Sequence, residues 1–326
     1  MRRRDFLGVI GGAAIVWPMS SAYAEPVRLL GVLLPWSEGD PAAVGYVKAL
    51  RDGLSVLGWR EGENLKIELR WSSDETARTR AHAKELVELH PAVIFATGPA
   101  FVSVREATRA IPIVFAMVSD PVGQGFVSSL SRPGGNTTGF MLLEFSAGGK
   151  FVELLKAIAP ETKRVAVFED PTNSTTPQWW RSIEGAARDF GIEPQQALVR
   201  SESEIDAEIA AIARAPHGSF IVPPQAFLSV HRARLIAAAE RERLPAVHWS
   251  PLYVKEGGLL SYGLNPATQF ANAATYIDRI LKGAKPGNLP IQAPTKFELA
   301  INLKTAKALG LTIPEKVIAT ADEVIE

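Results

Sequence analysis

Short apolar runs alternate with amphipathic helical stretches along almost the whole chain, and this alternation restricts the possible fold more than any other feature of the sequence. Residues 27–34 form an apolar run of strand length closed by Pro35. Ala43, Val47, Leu50, Leu54 and Leu57 then recur at spacings of four and three, which sets them on one helical face, and Gly58 supplies a left-handed stop. Leu65, Ile67, Leu69 and Trp71 alternate with Lys66, Glu68 and Arg70, the period of a strand with one wet face near a sheet edge. Asp74 is placed to cap the helix that runs to Leu89. Residues 92–96 and 111–116 are apolar on both faces, as central parallel strands covered by helices must be, and a helix starts near Pro99 between them. The expected class is α/β with a doubly wound sheet.

Between Ser119 and Gly139 the period lapses into turn formers, and the lobe boundary is expected there. The alternation restarts with a helix at 147–158, a strand at 164–168, a helix at 176–190 and a strand at 195–199. A helix at 202–213, a strand at 219–222, a helix at 227–241 and a strand at 246–249 follow. The last strands, 258–262 and 296–302, and the helix 267–281 between them extend neither half in simple order, so the chain should recross between lobes. A length of 326 residues agrees with two lobes, because one hydrophobic core seldom grows so large.

The first 24 residues read as an address. Arg2, Arg3 and Arg4 precede an apolar run from Gly8 to Trp17, and Ala22-Tyr23-Ala24 forms a cleavage site, the three parts of an export signal. Arg3-Arg4-Asp5-Phe6-Leu7 resembles the twin-arginine variant. Cleavage after Ala24 removes three arginines and one aspartate from a balance of 35 basic and 35 acidic side chains, leaving a formal charge of −2. A nearly neutral chain has no long-range attraction for nucleic acid. The absence of cysteine excludes disulfides, thiolate metal sites, cysteine nucleophiles and cysteine-linked lipid anchors. An exported protein with no anchor and no second apolar segment belongs in a periplasm.

Enzyme signatures are missing. There is no nucleophile elbow, phosphate loop or zincin motif, and Gly123-Gln124-Gly125 lacks the third glycine of a dinucleotide fingerprint. His82, His90, His217 and His231 read as surface residues. His248 differs, since it ends a parallel strand beside Trp249; paired with Asp170 it would be the centre of an alternative reading, an exported hydrolase or isomerase.

The loops after the strands carry Trp36, Thr97-Gly98-Pro99, Ser119-Asp120, Asp170 with Asn173, Gln225, and His248-Trp249. Aromatics mixed with neutral hydrogen-bonding groups suit the capture of a small polar molecule better than bond cleavage. Thr97-Gly98-Pro99 at a helix start offers backbone N–H groups to an anion such as a carboxylate. Trp36 is expected to stack on the ligand from the mouth of the first lobe while contributing little to the core.

Several stretches resemble a known family. They are Phe95-Ala96-Thr97-Gly98-Pro99, Ile111-Pro112-Ile113-Val114-Phe115, Ser119-Asp120-Pro121-Val122-Gly123, Ser131-Arg132-Pro133-Gly134-Gly135-Asn136-Thr137-Thr138-Gly139 and Thr295-Lys296-Phe297-Glu298-Leu299. The family is that of ABC transporter substrate-binding proteins that includes tryptophan- and tyrosine-binding members. The resemblance implies two Rossmann-like lobes with parallel sheets joined by a three-crossover hinge, the type I periplasmic binding protein fold. It divides the chain into a first lobe of 25–118 with 264–293 and a second of 119–263 with 294–326. It implies lobes that close on an amino acid or small carboxylate and dock on an inner-membrane ABC permease, and it places Tyr262 near a crossover; a monomer without cofactor or metal is expected, with Trp249 and Tyr262 as the aromatic wall should Trp36 serve packing instead. A sugar or urea-like ligand, or service to a periplasmic sensor, are the alternatives within that fold. Where family members often carry Asp-Asn after the strand ending at Val222, this chain has Pro224-Gln225, so a usual partner for an α-ammonium group is missing.

Overall fold

The computed structural model describes residues 26–326. The export segment expected at 1–24 and the cleavage point before Glu25 lie outside the described residues.

The first sheet contains β1 (Arg28–Leu34), β2 (Leu65–Trp71), β3 (Val93–Thr97), β4 (Ile113–Val118) and β5 (Thr137–Met141), all parallel, in the order β2-β1-β3-β4-β5. β3 and β4 are buried at every residue, whereas β2 is half-buried at the edge, as the two apolar patterns require. Helix α1 (Pro41–Val56) starts at Asp40, whose carboxylate accepts from the N–H groups of Ala42 at 2.9 Å and Ala43 at 3.3 Å. It buries Ala43, Tyr46, Val47, Leu50 and Leu54, and Gly58 follows it at φ 92°. Helices α2 (Thr76–Glu88) and α3 (Gly98–Ala107) pack against each other beside the sheet.

The second lobe begins with α4 (Ala147–Ile158), β6 (Arg164–Glu169), α5 (Thr176–Asp189), β7 (Glu193–Leu198), α6 (Glu202–Ala213) and β8 (Gly218–Val222). It continues through α7 (Ala226–Val230), α8 (Arg232–Glu242), β9 (Ala246–His248), α9 (Pro251–Lys255) and β10 (Leu260–Gly263). The expected single helix at 227–241 is two helices, because the backbone leaves helical geometry at His231 (φ −95°, ψ 18°). The chain then returns to the first lobe as α10 (Pro266–Leu281), which lies along α1. Gly53 allows this approach: a Cβ there would stand 2.9 Å from the Ala274 Cβ. Trp59 Nε1 donates to Asp278 Oδ1 at 2.8 Å, a buried bond spanning 219 positions. The chain finally crosses back as β11 (Glu298–Asn302), α11 (Leu303–Ala308), α12 (Glu315–Ile318) and β12 (Glu323–Ile325). The second sheet has the order β12-β11-β10-β9-β8-β6-β7 and is parallel except between β10 and β11. The chain thus passes between the lobes three times.

One boundary needs correction. Thr137–Met141 was expected beyond the lobe boundary, but it pairs with β4 in the first sheet, so the first lobe runs past residue 118. The turn-like text there conceals two buried β-branched residues; Thr138 Oγ1 donates to the Leu289 carbonyl at 2.7 Å. Residues near 292 run beside β5, with Gln292 N donating to Gly139 O at 3.0 Å and Met141 N to Gln292 O at 2.8 Å.

Candidate ligand-binding cleft

Parallel strands direct their following loops to one end of each sheet, and these loops enclose a cavity of about 450 Å³ between the lobes. This size falls in the usual range for small-molecule sites. The first lobe contributes Trp36 after β1, Asp74 after β2, Thr97, Gly98 and Pro99 at the β3–α3 junction, and Ser119 after β4. The second contributes Asp170 and Asn173 after β6, Gln225 after β8 and Trp249 after β9.

At the start of α3, Gly98 adopts φ 49° and a Cβ there would meet nothing within 4 Å, so the backbone itself forms the cavity wall. Thr97 is the N-cap by backbone conformation, yet its side chain makes no capping bond. Its hydroxyl is buried and has no hydrogen-bond partner among the described residues. A buried hydroxyl without a partner is costly, and a ligand acceptor would satisfy it.

The end of β4 is distorted. Its register with β5 shifts between Ala116 and Val118, and Met117 sits at φ 59°. Ser119 lines the cavity beyond this bulge, but Asp120 does not. Asp120, at φ 41°, turns its carboxylate onto its own loop, where Oδ1 accepts from Gly123 N at 2.8 Å; this corrects its expected place in the site.

Across the cavity, Asp170 Oδ1 accepts from Thr172 N at 2.8 Å and Thr172 Oγ1 at 2.7 Å. Asn173 Oδ1 accepts from Thr175 N at 2.9 Å, fixing the same loop. Gln225 lines the cavity with an engaged amide: its oxygen accepts from Asp170 N and its nitrogen donates to Thr176 Oγ1 at 3.0 Å. Its role is to clamp two loops, which differs from the expected direct contact. The lobes touch directly where Ser174 Oγ donates to Gln124 Oε1 at 2.8 Å.

Three aromatic expectations change. Trp36 lines the cavity but is 5% exposed, with Tyr46 edge-on at 5.6 Å and Phe270 at 6.3 Å, so it belongs to the core as well as to the wall. His248 is fully buried outside the cavity, stacked on Tyr253 at 4.5 Å, and both ring nitrogens lack partners among the described residues. Burial pushes its pKa down to about 3. No dyad with Asp170 exists, because Asp170 faces the cavity and His248 does not. Tyr262 stacks on Phe297 at 5.7 Å, also away from the cavity.

Asp74 is the lining residue that sequence reasoning misread. It does not cap α2, whose N-cap is Glu75 without a side-chain bond. Ser73 and Asp74 both take positive φ, 51° and 56°, in a turn held by Asp74 N on the Pro35 carbonyl at 2.6 Å. That turn places Asp74 in the cavity wall, where burial, together with the charge of Asp170, pushes its carboxyl up to about 7.

Two α/β lobes crossed three times by the chain, with the strand-end loops of both around one cavity, define a solute-binding protein of the type I periplasmic fold. The chain belongs to the ABC transporter substrate binding protein family, whose model matches residues 38–325, and members of this family bind ligands and are not enzymes. A tyrosine-binding protein of Clostridioides difficile is 25% identical over 273 residues, 83% of this chain and 77% of that protein. A conserved domain protein from Vibrio cholerae superposes with a TM-score of 0.85 at 29% identity, covering 91% of this chain and 99% of its own. An ABC domain from Streptococcus pneumoniae in complex with L-Trp gives a TM-score of 0.84 at 25% identity, with 92% and 100% covered.

Proposed function

We propose that this protein is the exported solute-binding component of an ABC importer, working as a monomer in the periplasm, and that it delivers an aromatic amino acid to an inner-membrane permease. The observation that carries the reading is the unpartnered Thr97 hydroxyl beside the start of α3, in a cavity walled by Trp36 and Trp249. The hydroxyl and the helix start would hold a carboxylate, and the indoles would flank an aromatic side chain. Relatives that bind tyrosine or L-Trp support the ligand class. The ligand touches both lobes only when they are closed, so it favours the closed state by those added contacts, and the permease reads that state.

Mass spectrometry of small molecules released on denaturing freshly purified protein tests the ligand. An aromatic amino acid is expected; a sugar or a chemically altered metabolite would sink the reading. For export, the N-terminus of periplasmic protein should be Glu25, and replacing Arg3 and Arg4 by lysine should block secretion by the twin-arginine route. Recovery of unprocessed protein from the cytoplasm alone would reject export.

A further inference from the structure

We infer that Asp74 and Asp170, which face the cavity from opposite lobes, form a subsite for a positively charged group of the ligand, an ammonium or guanidinium that bridges the lobes as they close. The inference deepens the reading above and rests on it.

The cavity wall carries a surplus of acidic side chains. The ionisable lining residues among those described are Asp74, Glu106, Asp170 and Arg80, three acids against one base. Arg80 is exposed and lies 4.0 Å from Glu106, so its charge is already matched at the rim. Asp74 and Asp170 remain. Asp170 is oriented through Oδ1 by Thr172, and no hydrogen bond to its Oδ2 is found among the described residues. Burial and the Asp170 charge act on Asp74, and no hydrogen bond or ion pair to its carboxylate is found among the described residues. A bare carboxylate ligand would therefore enter a wall of its own sign.

The Thr97 hydroxyl in the same wall is buried and unpartnered, so the cavity is built for a ligand with polar atoms and is not an incidental acidic patch. Like charges on facing lobes also oppose closure of the empty protein, and a cation between them turns that repulsion into attraction from both sides.

The carboxyl of Asp74, pushed up to about 7, gives a specific signature: near neutral pH it holds a proton in part of the molecules, and a bound cation displaces it. The test is titration calorimetry of the mature protein, freed of bound solute, at pH 7 in buffers of different ionisation enthalpy. The probes are phenylalanine, tyrosine and tryptophan, their des-amino acids, and lysine and arginine against norleucine. Amine-bearing compounds should bind at least 100-fold more tightly than des-amino partners and release protons. Asp74→Asn and Asp170→Asn should each weaken them at least tenfold, and Asp74→Asn should abolish the release; asparagine tolerates the left-handed backbone at 74. Binding of aromatic amino acids assigns the α-ammonium. Binding of lysine or arginine but not norleucine assigns a side-chain cation, which keeps the subsite and removes the aromatic reading. Equal affinity of des-amino acids, or unaffected Asn variants, overturns the subsite and leaves the carrier reading standing. Failure of every amine-bearing probe overturns both.

Discussion

Arg232 of the second lobe reaches across to Asp40 of the first, with Nη1 2.8 Å from Oδ2 and Nη2 3.0 Å from Oδ1, while its Nε lies 2.9 Å from Glu256 of its own lobe. The side chains of Arg232 and Asp40 are only 8% and 10% exposed, so the pair exists in a water-poor seam between the lobes. Breaking a buried pair is costly when one charge is left behind, about 3–5 kcal/mol, and opening the lobes lets water relieve that cost. Under the closing motion proposed above, the seam would couple this ion pair to closure.

Asp40→Asn should weaken ligand binding about tenfold or more, since it removes the charge and retains a side chain able to cap α1. Small-angle scattering should show a larger radius of gyration for the ligand-free variant than for the parent. Identical affinity and identical scattering would remove the pair from the closing mechanism.

Thr97→Val separates binding from stability. The valine is nearly isosteric and deletes a hydroxyl that has no partner among the described residues, so thermal stability should hold or rise slightly. A hydrogen bond to a charged ligand group contributes about 1.5–3 kcal/mol, so affinity should fall roughly 10- to 100-fold. A variant that melts earlier yet binds like the parent would show that the hydroxyl serves the fold.

Trp36→Ala should destabilise the protein by about 3–5 kcal/mol, since the indole packs among Tyr46 and Phe270 in the core. Denaturant unfolding measures this. Trp36→Phe keeps much of the packing and is the variant in which a loss of affinity reports stacking on the ligand. Full stability of the alanine variant would return Trp36 to the mouth.

His248 makes the fold sensitive to acid. Its pKa falls from an ordinary 6.5 to about 3 in the folded state, so the unfolded chain binds the proton first. The contribution to stability is whole above pH 6.5 and is lost progressively as pH falls from there toward 3, about 2 kcal/mol being gone by pH 5. Unfolding free energies at pH 7.5 and 5 should differ less in His248→Phe than in the parent. An equal pH slope in both would place the acid sensitivity elsewhere.

Legibility in the sequence followed the range of the interactions. The buried row of α1 and its glycine stop could be read directly, because spacing and the left-handed stop are local. β5 could not, because Asn136-Thr137-Thr138-Gly139 reads as a turn and its hydroxyl and backbone partners lie near residues 289–292. Asp74 looked like a cap, and only the turn anchored on Pro35 shows that its carboxylate belongs to the cavity. His248 does end a strand, as expected, but α9 folds back at once and lays Tyr253 against the ring. Gln225 lines the wall, while its engagement with Asp170 and Thr176 depends on the β6–α5 and β8–α7 loops meeting.

The return of α10 to α1 inverts the order in which this protein can mature. A nascent chain halted before Pro266 has β1 to β5 and α1 but lacks the helix that covers the Gly53 face and the Asp278 that receives Trp59. Its other half lacks β11 and β12 until residues 298–325 emerge. Neither half is a free-standing unit during synthesis, and long-range closure of this kind is slow. A translocator that accepts only finished proteins must wait for the last turn of the ribosome on this message, whereas one that threads an extended chain can start while both halves are still open.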